Sequence, residues 1–219
     1  MLVISPHCDD AVFGCGALLA RHPGACVVTV FAGRPHHDES LTAWDAAAGF
    51  QAGEDVMGKR REEDRAALAV LRARPVWLDF CDSQYARSPS ARDVATALDE
   101  VIRREAATTA VVPLGLFHSD HQLAHEAALQ ARRAHPACIW LTYEDAIYRR
   151  IPGLVDARLA ELAAAGLRPV PFTPDGRADD SAKRAAIACY PSQLRALSRP
   201  GYPGFEDAFA PERYWRLEE

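Results

Sequence analysis

The chain has 219 residues, 49% of them hydrophobic and 25% charged, with a formal net charge of −5. That length suits one α/β domain burying roughly 70% of its unfolded surface. The acidic balance argues against a nucleic-acid partner, and no stretch approaches the ~20 apolar residues of a membrane span. Met1 runs straight into an apolar segment with no basic or long apolar leader, so the chain reads as cytoplasmic without a signal peptide. Six cysteines (Cys8, Cys15, Cys26, Cys81, Cys138, Cys189) form no CxxC pair, and most sit in apolar stretches. Buried free thiols in a reducing compartment are expected.

In chain order, short apolar runs alternate with helical patterns. Leu2–Ser5, Val27–Phe31, Val76–Phe80, Ala110–Leu114 and Ile139–Tyr143 are bounded by Pro, Gly or charge and rich in β-branched or aromatic residues. They read as strands buried on both faces, hence a parallel sheet. Between them, helices are expected at about Val12–Arg21, Leu41–Gly49, Arg60–Arg72, Ala91–Glu105 and Gln122–Arg133. The run Lys59–Glu63 reads as a solvated face. This alternation predicts a Rossmann-like, doubly wound, mostly parallel sheet in a single domain over 1–219, with its site beyond the carboxyl ends of the strands. From about Ile151 the pattern loosens. Pro169, Pro171, Pro174 and Asp175-Gly176 mark a loop, Ala178–Cys189 a helix, and Pro200–Gly204 a turn-rich lid or strap.

Two polar clusters fall at such strand ends: Ser5-Pro6-His7-Cys8-Asp9-Asp10 and His118-Ser119-Asp120-His121. A catalytic zinc site needs three protein ligands and an open position. The functional reading gives His7, Asp10 and His121 to the metal and Asp9 to an attacking water as general base. His118, with Asp120 orienting it, suits an oxyanion partner or proton donor. The competing reading makes Asp9-Asp10 a helix N-cap and the histidines ordinary loop residues; the residues alone leave both open. Gly14-Cys15-Gly16 suggests a nucleotide-binding turn, but Leu19 occupies the third glycine position and two carboxylates precede it. Ser5 lacks the Gly-x-Ser-x-Gly elbow of a nucleophile.

These residues resemble the PIG-L/LmbE-like de-N-acetylases. Ser5–Asp10 is similar to their (A/S)-H-P-D-D signature, and His118–His121 to H-P-D-H or H-x-D-H. Arg60–Glu63 resembles R-x-E-E, Asp82-Ser83 a D-S turn, Tyr143–Tyr148 a Y-E-D-x-P-Y stretch, and Lys183 with Tyr190–Gln193 a K…(H/Y)-x-S-Q motif. The match runs in order over about residues 2 to 193, with Cys8, Ser119 and Ala146-Ile147 as departures. The resemblance implies a Rossmann-like hydrolase that removes acetyl groups from N-acetylglucosamine-type sugars. Zinc, or ferrous iron on the same N/O set, would sit on His7, Asp10 and His121. Asp9 would be the base, His118 backed by Asp120 the oxyanion partner, and Arg60 and Asp82 the substrate contacts. An amidase of non-sugar or thiol-conjugate substrates stays open, as does a homo-oligomer. A non-catalytic nucleotide-binding module is disfavoured. The stretch 33–58 mixes Trp44 and Phe50 with His36, His37, Asp38 and Glu39 and does not choose between substrates.

Overall fold

Alternating β-branched and helical segments fold as the periodicity predicts, but with two strands the pattern hides. The computed structural model describes residues 1–35, 41–85, 88–175 and 180–218. His36–Glu39, Gly176 and the start of the expected 178–189 helix therefore lie outside the described residues. In chain order the elements are β1 Leu2–Ser5, α1 Asp10–Arg21, β2 Cys26–Thr29, α2 Ala43–Ala48, α3 Val56–Val70, β3 Arg74–Trp77 and α4 Ala91–Arg104. There follow β4 Thr109–Pro113, α5 Ser119–Arg132, β5 Ile139–Tyr143, α6 Leu154–Ala164, β6 Arg168–Phe172, α7 Asp180–Ile187, α8 Pro191–Leu197 and β7 Tyr214–Glu218.

Among the described residues the strands form one seven-stranded sheet in the order β3-β2-β1-β4-β5-β7-β6. β1 to β5 are parallel, with Val3 opposite both Val27 and Val111. β7 runs antiparallel to β5 and β6. The strand order reverses direction between β1 and β4, the place where open α/β sheets leave a crevice. The two polar clusters follow these two strands.

Side chains alternate across the sheet. Val3, Val27, Val111, Leu141 and Tyr143 pack on the side of α1, α3 and α7. Leu2, Ile4, Val28, Val112 and Trp140 pack with α4 and α5.

Three expectations need correction. β3 lies at the sheet edge and is half-buried to exposed rather than buried on both faces. It starts two residues early because Arg74–Trp77 pairs with β2. The prolines at 169 and 171 sit inside β6, an edge strand, where a missing N–H costs no ladder bond if it faces outward. The run Lys59–Glu63 is only partly a solvated face: Lys59 and Glu62 are exposed, but Arg60 is 5% exposed and Glu63 binds both the backbone N–H and the hydroxyl of Ser192.

The Gly14 and Gly16 pair serves packing. A Cβ at Gly14 would lie 2.5 Å from the Tyr143 ring, and one at Gly16 would lie 2.7 Å from Lys183 Cγ. Lys183 Nζ is 2.8 Å from Glu212 Oε1, and that carboxylate accepts the backbone N–H groups of Ala17 and Leu18 in α1. The tail thus grips the helix that begins with Asp10.

Candidate active site

The turn after β1 is shaped by Ser5, whose hydroxyl donates to the His7 carbonyl at 2.5 Å and accepts the Ala11 N–H at 2.9 Å. It is buried and acts as a backbone brace. Asp9 occupies the N-cap position of α1, yet its side chain accepts no cap hydrogen bond. Asp10 instead turns back to accept the His7 N–H at 2.8 Å. The helix-cap reading of this acidic pair therefore fails.

Asp10 Oδ2 lies 3.2 Å from His7 Nδ1 and 3.2 Å from His121 Nε2, so three side chains from two strand ends meet at one point. The far nitrogen of each ring faces another carboxylate. His121 Nδ1 is 2.6 Å from Asp145 Oδ1, and His7 Nε2 is 3.1 Å from Asp120 Oδ2. A carboxylate only accepts, so both far nitrogens are donors, and in the neutral rings both near nitrogens carry lone pairs. Two lone pairs and a carboxylate oxygen converging within 4.8 Å repel one another unless a cation lies between them. The donor set thus fits a divalent cation with N/O preference.

The electrostatics agree. With protons as the only cations, burial opposes charge on His121, but Asp10 and Asp145 overcome it and hold the ring at about 9. Burial likewise opposes charge on His7, where Asp10, Asp120 and Asp82 win. Asp10 is held well below the ordinary carboxylate range, its own burial outweighed by the two imidazoles. Asp9 moves the other way. Burial and then the Asp10 charge push it up to about 7, the range of a general base working near neutrality.

His118 and Asp120 do not form the expected dyad. His118 Nδ1 accepts the Asp120 backbone N–H at 3.2 Å and caps α5. The Asp120 carboxylate is 3.9 Å away from that ring. Asp120 is drawn instead to His7 and to the N–H and hydroxyl of Ser83, each at 3.1 Å. An imidazole that accepts at Nδ1 carries its neutral-form proton on Nε2. Burial, then the nearby His7 and His121, lower the His118 pKa and favour that neutral donor.

His7, Asp9, Asp10, His118 and His121 line one cavity of about 580 Å³ together with Arg60, Asp82, Trp44, Phe117, Ile147, Tyr148, Ile151 and Tyr202. Asp82 is 8% exposed and accepts from the backbone and side-chain N–H groups of Gln84. Arg60 donates to Asp45 at 2.8 Å and leaves its buried Nε without a partner. Arg61 turns away to the Ala32 carbonyl and the Trp77 ring. Phe117 and Ile147 hold positive φ values of 59° and 77°, strained for bulky side chains. Phe117 stacks on Tyr148 at 5.4 Å with 62% of its surface exposed.

Sequence reasoning gave no role to Asp145 or Ser83. The signal for Asp145 was an acid just past β5, the neighbour of the strand that precedes His121. Ser83 donates through its backbone as well as its hydroxyl, which spacing cannot reveal.

A doubly wound sheet with paired imidazoles and carboxylates at its switch point defines the class. The chain belongs to the PIG-L family, described as GlcNAc-PI de-N-acetylase, whose model matches residues 2–132. It is 31% identical over 193 residues to the 2'-N-acetylparomamine deacetylase of Streptomyces fradiae, an alignment covering 78% of this chain and 64% of that protein. A triple mutant of a deacetylase from the teicoplanin biosynthetic pathway superposes with a TM-score of 0.81 at 27% identity, over 99% of this chain and 97% of that one. The A40926 pseudoaglycone deacetylase gives 0.76 at 27% identity over 99% and 96%. No helix of the described residues is long and apolar enough to cross a membrane.

Proposed function

We propose that this chain is a divalent-metal-dependent hydrolase that removes the acetyl group from an N-acetylated amino-sugar derivative, giving acetate and a free amine. The observation that carries the proposal is the convergence of His7, Asp10 and His121 beside a base of raised pKa and a neutral imidazole donor, all on one cavity. The names of the relatives support the reaction class and the sugar-like substrate.

His7, Asp10 and His121 would hold the ion, zinc or ferrous iron by donor type. When bound, it would supply Lewis-acid polarisation of the acyl carbonyl and acidify the attacking water. Asp9 takes the proton of that water as it adds to the carbonyl carbon. His118 Nε2–H donates to the oxygen on which charge develops. As the C–N bond breaks, the protonated Asp9 returns its proton to the leaving nitrogen. Asp120 and Asp145 keep His7 and His121 in the ligating tautomer. Arg60 and Asp82 offer a cation and an acceptor to the hydroxyl groups of the sugar.

The test is elemental analysis of the purified protein beside acetate release from N-acetylglucosamine and its aryl glycosides. About one ion per chain, lost in His121→Ala together with activity, is expected. A chain that binds neither zinc nor iron overturns the proposal.

A further inference from the structure

Asp64, on the buried side of α3, has no exposed surface. One of its oxygens accepts the Trp77 indole N–H at 2.7 Å. Its other oxygen lies 2.9 Å from the Tyr190 hydroxyl, which lies 2.9 Å from the Cys8 carbonyl as well. Tyr190 has one hydroxyl proton and faces two acceptors. If Asp64 were ionised, one of these 2.9 Å contacts would set two buried acceptors against each other, a costly arrangement in a dry interior. A proton on Asp64 resolves it: Asp64 donates to Tyr190, Tyr190 donates to Cys8, and Trp77 donates to Asp64.

We propose that Asp64 is a positioning residue, present as the neutral acid, which through Tyr190 fixes the Cys8 carbonyl and so the peptide that carries Asp9. The inference rests on the deacetylase reading, in which Asp9 is the base. Burial raises Asp64 to about 7, with the bonds from Trp77 and Tyr190 opposing. The cation acting on it directly is Arg65 of its own helix, which lies over the Trp77 ring at 4.8 Å. The titratable groups facing it from other elements are the Tyr190 phenol and the Cys8 thiol, with Asp9 and Arg60 acting on those in turn. Burial raises both the Cys8 thiol and the Tyr190 phenol well above their ordinary values, so neither neighbour competes to hold negative charge here.

Three variants and one spectrum test this. Asn reproduces the hydrogen-bond pattern of the neutral acid, since its amide donates to Tyr190 while its oxygen accepts from Trp77. In acetate release, Tyr190→Phe and Asp64→Leu are expected to lower kcat by about tenfold or more while KM stays within about twofold, whereas Asp64→Asn stays within about threefold of the wild-type kcat. Infrared difference spectra of the wild type minus Asp64→Asn at about pH 6 are expected to contain the carbonyl stretch of a protonated carboxyl group. Absence of that band overturns the neutral acid whatever the chain catalyses. Wild-type kcat in folded Tyr190→Phe, or an Asp64→Asn as impaired as Asp64→Leu, overturns the positioning role. A metal-loaded wild type that releases no acetate, with the band present, overturns the deacetylase reading and the positioning role with it while leaving the neutral acid in place. If Asp64→Leu does not fold, Tyr190→Phe and the spectrum still decide.

Discussion

Asp145 holds His121 from behind: Nδ1 of the ring donates to Oδ1 of the carboxylate at 2.6 Å, and Oδ2 is fixed by the N–H groups of Gly115 and Leu116 at 2.9 and 3.0 Å. The loop after β4 thereby orients a carboxylate just past β5, and that carboxylate sets the tautomer of a histidine on α5. Replacing Asp145 by Asn removes the charge and weakens this control. Zinc affinity is expected to fall about 10–100-fold, measured by competition with a chelating dye. Unchanged affinity would mean that His121 is not a ligand.

Asp9 and His118 should separate chemistry from metal binding. Asp9→Asn is expected to retain the ion but lose roughly 10²–10⁴ in kcat. His118→Ala, which removes the Nε2–H donor, is expected to lose about 10²–10³. Elemental analysis beside steady-state kinetics checks both. Metal loss in Asp9→Asn would make that residue a ligand rather than the base.

Gly14 is predicted to tolerate no side chain, because a methyl group there meets the Tyr143 ring at 2.5 Å. Tyr143 is fully buried and its hydroxyl donates to the Ile4 carbonyl, so it cannot swing away cheaply. Gly14→Ala should cost about 1–3 kcal/mol, seen calorimetrically as a Tm lower by roughly 2–10 °C for a chain of this size.

Asp64 predicts a pH dependence of stability. Its folded pKa of about 7 lies above the ordinary 3.8. Its contribution is therefore fully present below the unfolded value and is lost as the pH rises through 7. Linkage at about 1.36 kcal/mol per unit sets a ceiling of about 4 kcal/mol on that loss. Asp64→Asn does not titrate, so its Tm relative to wild type should rise between pH 5 and pH 8. A constant difference would show that Asp64 is already ionised at pH 5.

The parallel core of the sheet was legible because β1, β2, β4 and β5 are β-branched runs bounded by turn residues. β6 was not: two prolines make a loop signature, and only its place at the sheet edge makes them harmless. β7 pairs across the sheet with β5 and β6, a contact that no local pattern encodes. At the site, the residue types and strand-end positions of His7, Asp9, Asp10, His118 and His121 were enough to bring them to one pocket. The partner of Asp120 was misread because sequence nearness to His118 is a poor guide where a helix starts. The helix claims the backbone N–H of Asp120 for the His118 cap, and its carboxylate swings to His7.

The grip of Glu212 and Lys183 on α1 has a consequence for how such a chain diversifies. The groups proposed to hold the ion or meet the reacting atoms, His7, Asp9, Asp10, His118 and His121, lie within residues 2–132, yet the helix that begins with Asp10 is steadied by side chains from positions 183 and 212. The cavity walls at Ile147, Tyr148, Ile151 and Tyr202 come from the same later portion. Change in that portion can retune which molecule is admitted while the reacting atoms stay as they are. It cannot be unlimited, because the stretch that forms these walls also carries the carboxylate and ammonium that hold the chemistry in register.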